Sequence, residues 1–424
     1  MSDSRVPNEK ELAWITDRAV AEIIPRDEVI EALRSGRSLR LKMGFDPSAP
    51  DLTLGHAVGL RKLRQLQELG HTVVVIVGDW TAQIGDPSGQ SRTRPMLTAE
   101  QVRENAETYM KQFFRIVDRE LTEVRWQSEW FGPFTLADVV RLAAGFTVAQ
   151  MLEREDFAQR FEARKPIGVH ELLYPLLQGY DSVAVQADIE FGGTDQKFNL
   201  HVGRELQPHF GQKPQAIWLV PLLVGTDGAV KMSKSVGNYI AVEDPPHEMY
   251  GKVMSIPDTL ITDYFELLTD VPDDEVAAIR AAVAGRKGNP MGHKMRLARE
   301  IVTQYWGAGA AADAEKDFET KFRERKLPED IPTKALSFSG VRAEEAEATD
   351  GATPVILANL LVQAGAAASL SEARRLTSQG AVEIDGSVVT ERVVNIKSGV
   401  VLRVGKHRFV RLVDADSSTD GVNE

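Results

Sequence analysis

The feature that most constrains the fold is the run Thr72–Val77, in which every residue is β-branched and none is charged. Such a run is typical of a strand buried on both faces. A helical pattern spans 54–69 just before it, and 39–43 predicts a strand before that helix. Strand, helix and strand in this order form a βαβ unit. The sequence therefore predicts an α/β fold with a parallel, doubly wound sheet.

A second unit of the same kind lies further along the chain. We predict a strand at 183–191, which runs into Gly192-Gly193, then a helix at 195–207 and a strand at 216–220. Two such units about a hundred residues apart indicate one nucleotide-binding domain that carries an insertion. Residues 1 to about 38 predict an amphipathic helix, and 245–326 predict helices without strands.

Composition excludes several classes of protein. The chain has 424 residues, of which 43% are hydrophobic and 26% are charged, so we expect a globular protein with a large core. No apolar run is long enough for a membrane helix, and the N-terminus lacks a signal-peptide core. The absence of cysteine excludes disulfides, thiolate zinc sites and cysteine nucleophiles, and favours the cytoplasm. A net charge of −12 excludes a uniformly basic surface but leaves room for a local basic face.

The tail differs from the rest of this acidic chain. Between 354 and 413 lysine and arginine outnumber aspartate and glutamate, and an acidic, small-residue segment at 344–353 predicts a linker before it. Within the tail we predict a short helix capped by Ser369, and a hairpin at 382–388 that turns at Asp385-Gly386.

Thr53-Leu54-Gly55-His56 opens the helix that follows a proline-rich loop. A helix N-terminus offers free N–H groups and a positive dipole end, which suit phosphate. Thr53 and His56 are three residues apart and so share one face of the first turn. The pattern is equally typical of a surface histidine beside a threonine cap.

Lys231-Met232-Ser233-Lys234-Ser235 follows the turn Gly225-Thr226-Asp227-Gly228. Two lysines in a flexible loop can follow the moving charge of a polyphosphate, and the turn allows the loop to close. The alternative is a solvated turn. Because the chain lacks the GxxxxGK[ST] pattern, we expect it to bind nucleotide by other means than a P-loop.

Tyr174, Gln178 and Asp181 fall on one face of a predicted helix. A phenol, an amide and a carboxylate in a row are poor core material, because each must keep a hydrogen-bond partner when buried. We interpret them as a pocket for an ammonium group and a hydroxyl. A polar helix face towards water is the alternative.

Together these motifs resemble a known family. The first two resemble the HIGH and KMSKS signatures of class I aminoacyl-tRNA synthetases. The segment 174–181, the turn Gly192-Gly193-Thr194-Asp195-Gln196 and the loops at 44–47 and 85–89 resemble tyrosyl-tRNA synthetases of the bacterial type. The tail is similar to their S4-type RNA-binding domain. The resemblance covers nearly the whole chain and implies a Rossmann-like catalytic domain at 1–244, a helical tRNA anticodon-region domain at 245–343, a linker at 344–353 and an S4-like domain at 354–424.

The resemblance implies a tyrosine–tRNA ligase, which joins tyrosine to ATP as tyrosyl-adenylate and then transfers it to tRNA(Tyr). ATP would be a substrate with Mg²⁺, and neither a tightly bound cofactor nor a dedicated metal site is implied. The implied partners are L-tyrosine, ATP, tRNA(Tyr) and a second copy in a homodimer built on the insertion, with no membrane. The implied catalytic residues are His56, Thr53, Lys231 and Lys234; ATP would also contact Gly55, Gly193, Asp195, Leu223, Val224, Ser233 and Arg94; tyrosine would contact Gly44, Asp46, Asp86, Tyr174, Gln178, Asp181 and Gln196; and tRNA would contact Arg374 and Arg375.

Within this resemblance Asp181 would accept the phenol O–H of the substrate. The chain departs from the family pattern at Thr53, where a histidine is usual, at Lys42, where many bacterial members have a tyrosine, and at Gln90, where many have a lysine. Lys42 could donate a hydrogen bond or pair with Asp181. Two other functions stay open: another adenylyl-transferring enzyme of the same superfamily, and a non-catalytic RNA-binding protein on this scaffold.

Overall fold

The computed structural model describes residues 4–47, 51–87, 98–285, 289–320, 331–343, 352–405 and 408–416. They divide into two compact units, residues 1–317 and residues 318–424. No helix within the described residues is long and apolar enough to cross a membrane.

The first unit is built on a six-stranded sheet of order β1-β6-β5-β2-β3-β4, in which β1 is an antiparallel edge and all other pairs are parallel. This confirms the predicted parallel, doubly wound sheet. The strands are β1 (Glu22–Ile24), β2 (Arg40–Phe45), β3 (Thr72–Val77), β4 (Thr122–Trp126), β5 (Ile189–Gly193) and β6 (Ala216–Val220).

Helices cover both faces of this sheet and continue beyond it. The core of β3 is sealed, since Val73, Val74, Val75 and Ile76 are all fully buried. The helices are α1 (Glu9–Asp17), α2 (Arg26–Arg34), α3 (Leu54–Gln67), α4 (Thr81–Ile84), α5 (Ala99–Phe113), α6 (Ser128–Phe131), α7 (Leu136–Ala143), α8 (Val148–Met151), α9 (Glu155–Glu162), α10 (Tyr174–Val185), α11 (Lys197–His209), α12 (Pro246–Ser255), α13 (Ile261–Leu268), α14 (Asp273–Ala284) and α15 (Pro290–Phe318), the last interrupted at Gly307.

Two predicted elements differ from the structure. The amphipathic stretch before residue 38 is two helices with strand β1 between them, because 22–24 pairs with β6. The strand predicted at 183–191 begins only at Ile189, because α10 continues to Val185 and Gln186 then adopts a left-handed φ of +51° that ends the helix.

The second unit contains a five-stranded sheet of order β10-β9-β12-β13-β7 and a two-stranded sheet of β11 and β8. The predicted hairpin is present, with β9 and β10 paired across Asp385-Gly386. The elements are β7 (Thr333–Leu336), β8 (Thr353–Ile356), α16 (Leu357–Gln363), α17 (Leu370–Ser378), β9 (Val382–Ile384), β10 (Ser387–Val388), β11 (Val393–Ile396), β12 (Val401–Val404) and β13 (Arg408–Asp414).

The boundary between helical region and tail differs from the sequence-based division. The sequence groups 331–343 with the helical region, yet β7 pairs in parallel with β13 and Phe338 is buried in the core of the second unit. Most of the predicted linker at 344–353 lies outside the described residues.

Candidate active site

The strand order places a crevice at one edge of the first sheet. From β2 the chain proceeds through β3 and β4 to one side, whereas β5 and β6 lie on the other side. Ligands of doubly wound sheets bind at the carboxyl ends of the strands where the order reverses. Here those ends carry Asp46, directly after β2, and Asp195 and Gln196, directly after β5. Gly44 in β2 is exposed, so the surface above this strand is open.

Asp46 accepts two hydroxyl hydrogen bonds. Tyr174 Oη donates to Asp46 Oδ2 at 2.9 Å, and Thr81 Oγ1 donates to Asp46 Oδ1 at 2.7 Å. Burial, together with the carboxylates of Asp46 and Asp86, raises the pKa of Tyr174 well above its usual value. Tyr174 therefore stays a phenol and a donor at every physiological pH.

A ring of polar groups surrounds Asp86. Gln196 Nε2 donates to Asp86 Oδ2 at 2.9 Å, and Asn199 Nδ2 donates to Gln196 Oε1 at 2.9 Å. Arg154, which is 5% exposed, closes the ring with contacts of 3.0 Å to Asn199 Oδ1 and 3.4 Å to Asp86 Oδ1. The ring fixes the carboxylate of Asp86 at the same end of the crevice as Asp46.

Asp181 is 2% exposed and accepts from two neutral donors. Gln127 Nε2 donates to its Oδ2 at 2.8 Å and Trp130 Nε1 donates to its Oδ1 at 3.1 Å. Desolvation raises the pKa of Asp181 to about 7, although these donors and the charge of Lys42 act in the opposite direction. A carboxylate with two lone pairs on each oxygen can accept a further donor at this place.

Lys42 pairs with Glu190 rather than with Asp181, which was one of the two possibilities that the sequence left open. Lys42 Nζ lies 2.9 Å from Glu190 Oε1, and both side chains are fully buried. Gln178, predicted to contact an ammonium group together with Tyr174, donates from Nε2 to Glu190 Oε1 at 3.3 Å.

The second half of the crevice begins at the N-terminus of α3. Thr53 is the residue before the helix, and His56 Nδ1 accepts from the Thr53 N–H at 3.2 Å and lies 2.9 Å from Thr53 Oγ1. Burial and the charges of Lys234 and Lys231 lower the pKa of His56 to about 3. A neutral ring whose Nδ1 accepts carries its proton on Nε2, so His56 is a neutral N–H donor.

The loop 231–235 lies over the same place. Lys231 Nζ forms a 2.6 Å ion pair with Asp195 Oδ2, and Lys234 Nζ donates to the carbonyl of Asp51 at 2.6 Å. Met232 lies against Gly55, because a Cβ built on that glycine would lie 3.6 Å from the Cβ of Met232. Both lysines are therefore held beside the first turn of α3.

One side chain organises this loop. Asn238 is 5% exposed, and its Oδ1 accepts from the Ser233 N–H at 2.8 Å while its Nδ2 donates to Asp227 Oδ2 at 3.0 Å. Gly225 must be a glycine, because a Cβ there would lie 2.2 Å from Asn238 Nδ2. Asn238 therefore connects the loop 231–235 to the turn 225–228 that precedes it.

The other residues predicted to contact ATP are one glycine, two residues whose carbonyls already accept hydrogen bonds, and one arginine outside the described residues. A Cβ on Gly193 would lie 2.8 Å from both Asp195 Oδ1 and Leu222 Cδ2, so a larger residue would displace these two side chains. The carbonyls of Leu223 and Val224 already accept from the Met232 N–H at 2.7 Å and from Tyr264 Oη at 2.7 Å. Arg94 lies outside the described residues, as does Gln90.

The predicted RNA-binding residues lie in the second unit. Arg374 and Arg375 are adjacent and exposed on α17, and Arg375 donates to Gln379 Oε1 at 3.1 Å.

Sequence reasoning missed several residues of the site. Gln127 and Trp130 follow strand β4, whose sequence Thr-Glu-Val-Arg-Trp has too many charges to indicate a central strand. Arg154 lies just before α9 and Thr81 at the start of α4, and neither belongs to a recognisable motif. Only the rule that sites form at the carboxyl ends of strands could have indicated Gln127, and it needed β4 first.

Comparisons with known proteins agree with this geometry. Residues 34–323 match the family model of class I tRNA synthetases (W and Y), and residues 357–401 match the S4 domain. The tyrosine–tRNA ligase of Dehalococcoides mccartyi strain CBDB1 is 55% identical over 406 residues, which cover 96% of this chain and 99% of that protein. That of Moorella thermoacetica is 51% identical, with 94% of each chain covered.

Solved structures show the same fold at lower identity. A tyrosyl-tRNA synthetase complexed with L-tyrosine from Archaeoglobus fulgidus has a TM-score of 0.59 and 24% identity over 72% of this chain and 99% of that one. A truncated mitochondrial tyrosyl-tRNA synthetase from Aspergillus nidulans has a TM-score of 0.62 and 18% identity over 74% and 95% of the two chains. With two bacterial relatives more than 50% identical over nearly their whole length, this chain belongs to the class I tRNA synthetases and, among them, to the tyrosine–tRNA ligase family.

Proposed function

We propose that this chain activates L-tyrosine with ATP and transfers it to tRNA(Tyr). The observation that carries the proposal is Asp181, a buried carboxylate that accepts only N–H donors of neutral side chains among the hydrogen bonds described for it. A phenol O–H is a donor of the right kind for its remaining acceptor capacity. Phenylalanine would bury the same carboxylate without that donor, which costs free energy.

The amino group of tyrosine would bind at the other end of the pocket. Asp46 and Asp86 both lie there, and Tyr174 and Gln196 hold the two carboxylates in place. An ammonium group beside two carboxylates gains charge-assisted hydrogen bonds. Gln178 would join through its side-chain oxygen, since its nitrogen donates to Glu190.

ATP would enter with Mg²⁺ as a substrate, its phosphates between α3 and the lysine loop. His56 would donate from Nε2 and Thr53 would hold its ring through the hydroxyl contact to Nδ1, while Lys231 and Lys234 would neutralise the charge of the departing pyrophosphate. Asp195 would hold the ribose hydroxyls once Lys231 leaves it, and Gly193, which has no side chain, would leave room for the sugar. Tyrosine's own carboxylate is the nucleophile, so no side-chain nucleophile is required.

The transfer step would use the helical region after 245 and the S4 domain. Arg374 and Arg375 present two exposed cations on one helix, which suit an RNA backbone.

The expected compartment is the cytoplasm, which the absence of cysteine supports.

A homodimer would form on the insertion between β4 and α10. Its helices expose Leu136, Val140, Val148 and Phe161, with 60–79% of each residue accessible. Leu136 and Val140 are four residues apart and so share one face of α7, and an exposed apolar patch marks a protein interface. Aspartate at Leu136 and Val140 is expected to give monomers in analytical ultracentrifugation, whereas aspartate at the exposed Leu370 of the S4 domain is not.

Tyrosine-dependent exchange of pyrophosphate into ATP tests the activity. We expect exchange with tyrosine and much less with tryptophan or phenylalanine at equal concentration. Exchange with tryptophan but not with tyrosine would contradict the proposal. A chain that binds tRNA(Tyr) but shows no exchange with any amino acid would be a non-catalytic RNA-binding protein.

A further inference from the structure

A buried ion pair lies directly behind the tyrosine pocket. Lys42 on β2 and Glu190 on β5 are opposite each other in the parallel register of the two strands, and both are at most 1% exposed. The desolvation of two charges is costly, and apolar residues of similar size in their place often leave a protein equally or more stable. The pair therefore needs an explanation beyond stability.

The ammonium group of Lys42 has a full set of acceptors. Besides Glu190, its Nζ donates to the Gln178 carbonyl at 2.9 Å and to Ser182 Oγ at 2.8 Å. An ammonium has three N–H donors, so none remains for a substrate. Since two of these acceptors belong to α10, the lysine connects this helix to strand β2 of the sheet.

Glu190 completes the network from the other side. Its Oε1 accepts from Gln178 Nε2, and its Oε2 accepts from Ser182 Oγ at 3.1 Å and from Gln215 Nε2. Helix α11 passes close to this network at Gly203, where a Cβ would lie 2.9 Å from Ser182 Oγ and 3.1 Å from Glu190 Oε2. The missing side chain of this glycine leaves room for the two polar groups.

Asp181 lies next to Ser182 in α10, so the pair acts on it electrostatically. The positive charge of Lys42 lowers the pKa of Asp181 and the negative charge of Glu190 raises it. Asp181 also accepts from the neutral donors Gln127, which precedes α6, and Trp130, which lies in α6. Charged groups also contact α10 at its ends, where Asp46 accepts from Tyr174 Oη and Arg40 Nε donates to the Val185 carbonyl. From α11, the uncharged Val202 and Leu206 lie against Gly179, and Gln207 donates to the Ser182 carbonyl.

We propose that Lys42 and Glu190 are positioning residues of the tyrosine pocket, which hold Gln178 in place and set the charge at Asp181 through two opposing charges. This inference rests on the proposed contact between Asp181 and the phenol of tyrosine. It gives the family departure at Lys42 a role: in place of a second contact to the phenol, the chain has a buried cation that acts through its neighbours.

The test is the pH profile of kcat/KM for tyrosine in pyrophosphate exchange, which reports groups of the free enzyme. The wild type should lose activity as pH falls through about 7, because Asp181 becomes protonated. Lys42→Met removes the cation and keeps the negative charge of Glu190, so the midpoint of this acidic limb should move to a higher pH by about one unit. Glu190→Gln removes the anion and keeps the positive charge of Lys42, so the midpoint should move to a lower pH by a similar amount. A role in packing alone would lower kcat/KM without moving the limb.

Three further variants make the test decisive. Asp181→Asn should abolish the limb. Lys62→Met removes another buried lysine whose pKa burial lowers to about 7, and should leave the limb unmoved. Lys42→Met combined with Glu190→Gln leaves no unpaired charge, and its limb should fall above that of Glu190→Gln alone, which isolates the lysine if the single methionine variant fails to fold.

Each outcome decides one statement. A limb that vanishes in Asp181→Asn but keeps its position in every Lys42 and Glu190 variant overturns the positioning role alone. A limb that persists in Asp181→Asn overturns both the role and the proposed contact of Asp181 with tyrosine. Opposite shifts in the two single variants, with no shift in Lys62→Met, support the inference.

Discussion

Lys234 should act on ATP only while it is charged, and its environment makes that charge depend on pH near neutrality. Its Nζ is held at the Asp51 carbonyl, 5.5 Å from the ring centre of Tyr109. Burial lowers the pKa of Lys234 to about 8, and the charge of Asp51 offsets this only in part. The cation is thus present below pH 8 and is lost as pH rises through it.

The size of the effect follows from that value. With a pKa of about 8, about nine-tenths of Lys234 is charged at pH 7 and about one-tenth at pH 9. If the uncharged amine gives no stabilisation, kcat/KM for ATP falls by about tenfold over these two pH units. Lys234→Ala removes the donor entirely and should lower the rate of adenylate formation by roughly 10²–10³, the usual loss for one charge-stabilising donor.

Pyrophosphate exchange at saturating tyrosine, from pH 7 to 9, measures both quantities. Saturation with tyrosine keeps Asp181 occupied, so its titration does not contribute. Lys234→Arg keeps a charge over the whole range and should show no basic limb. Lys213→Ala, which removes a lysine with 82% of its side chain exposed, is the matched control and should behave as the wild type.

Two results would refute this reasoning. An unchanged rate in Lys234→Ala would remove Lys234 from the mechanism. A basic limb of the same position in Lys234→Arg would show that another group titrates, and that the lysine's burial is unrelated to the pH dependence.

Three further predictions concern the pocket, the tail and the core. Asp181→Asn should reduce the preference for tyrosine over phenylalanine by roughly 10- to 100-fold, since the amide is a weaker acceptor for the phenol, measured as the ratio of the two kcat/KM values. Deleting residues 331–424 should spare pyrophosphate exchange and weaken tRNA charging; a loss of exchange would contradict the independence of the two units. Phe113→Ala, at a fully buried ring packed on Phe45 and Phe114, should lower the free energy of unfolding by about 3–5 kcal/mol in urea denaturation.

The parts of the fold that the sequence predicts are those whose signal is local. The β-branched run Thr72–Val77 needs no distant partner to be recognised, and the turn at Asp385-Gly386 sets its hairpin within seven residues. Strands β1 and β7 carry no such signal. Their residues become strands because β6 and β13, far away in the chain, offer an edge with unpaired backbone groups.

The same contrast holds in the site. The motifs around Thr53, Tyr174 and Lys231 were recognisable because each combines residues close in sequence. The partners that determine their chemistry are remote: Asp181 depends on Gln127, and Lys42 depends on Glu190, 148 residues away. A lysine in a strand is ordinarily expected at an edge or on the surface. Its burial follows only from the register of β2 against β5, which the sequence does not reveal.

The charges of the crevice would orient both substrates of the proposed reaction. Its amino-acid end holds the carboxylates of Asp46 and Asp86, whereas its other end holds the ammonium groups of Lys231 and Lys234. A zwitterionic amino acid placed in this field turns its ammonium towards the carboxylates and its own carboxylate towards the lysines. In the proposed reaction the triphosphate would be drawn to the same lysines, so one field would bring together the nucleophile and the phosphorus that it attacks before any bond forms.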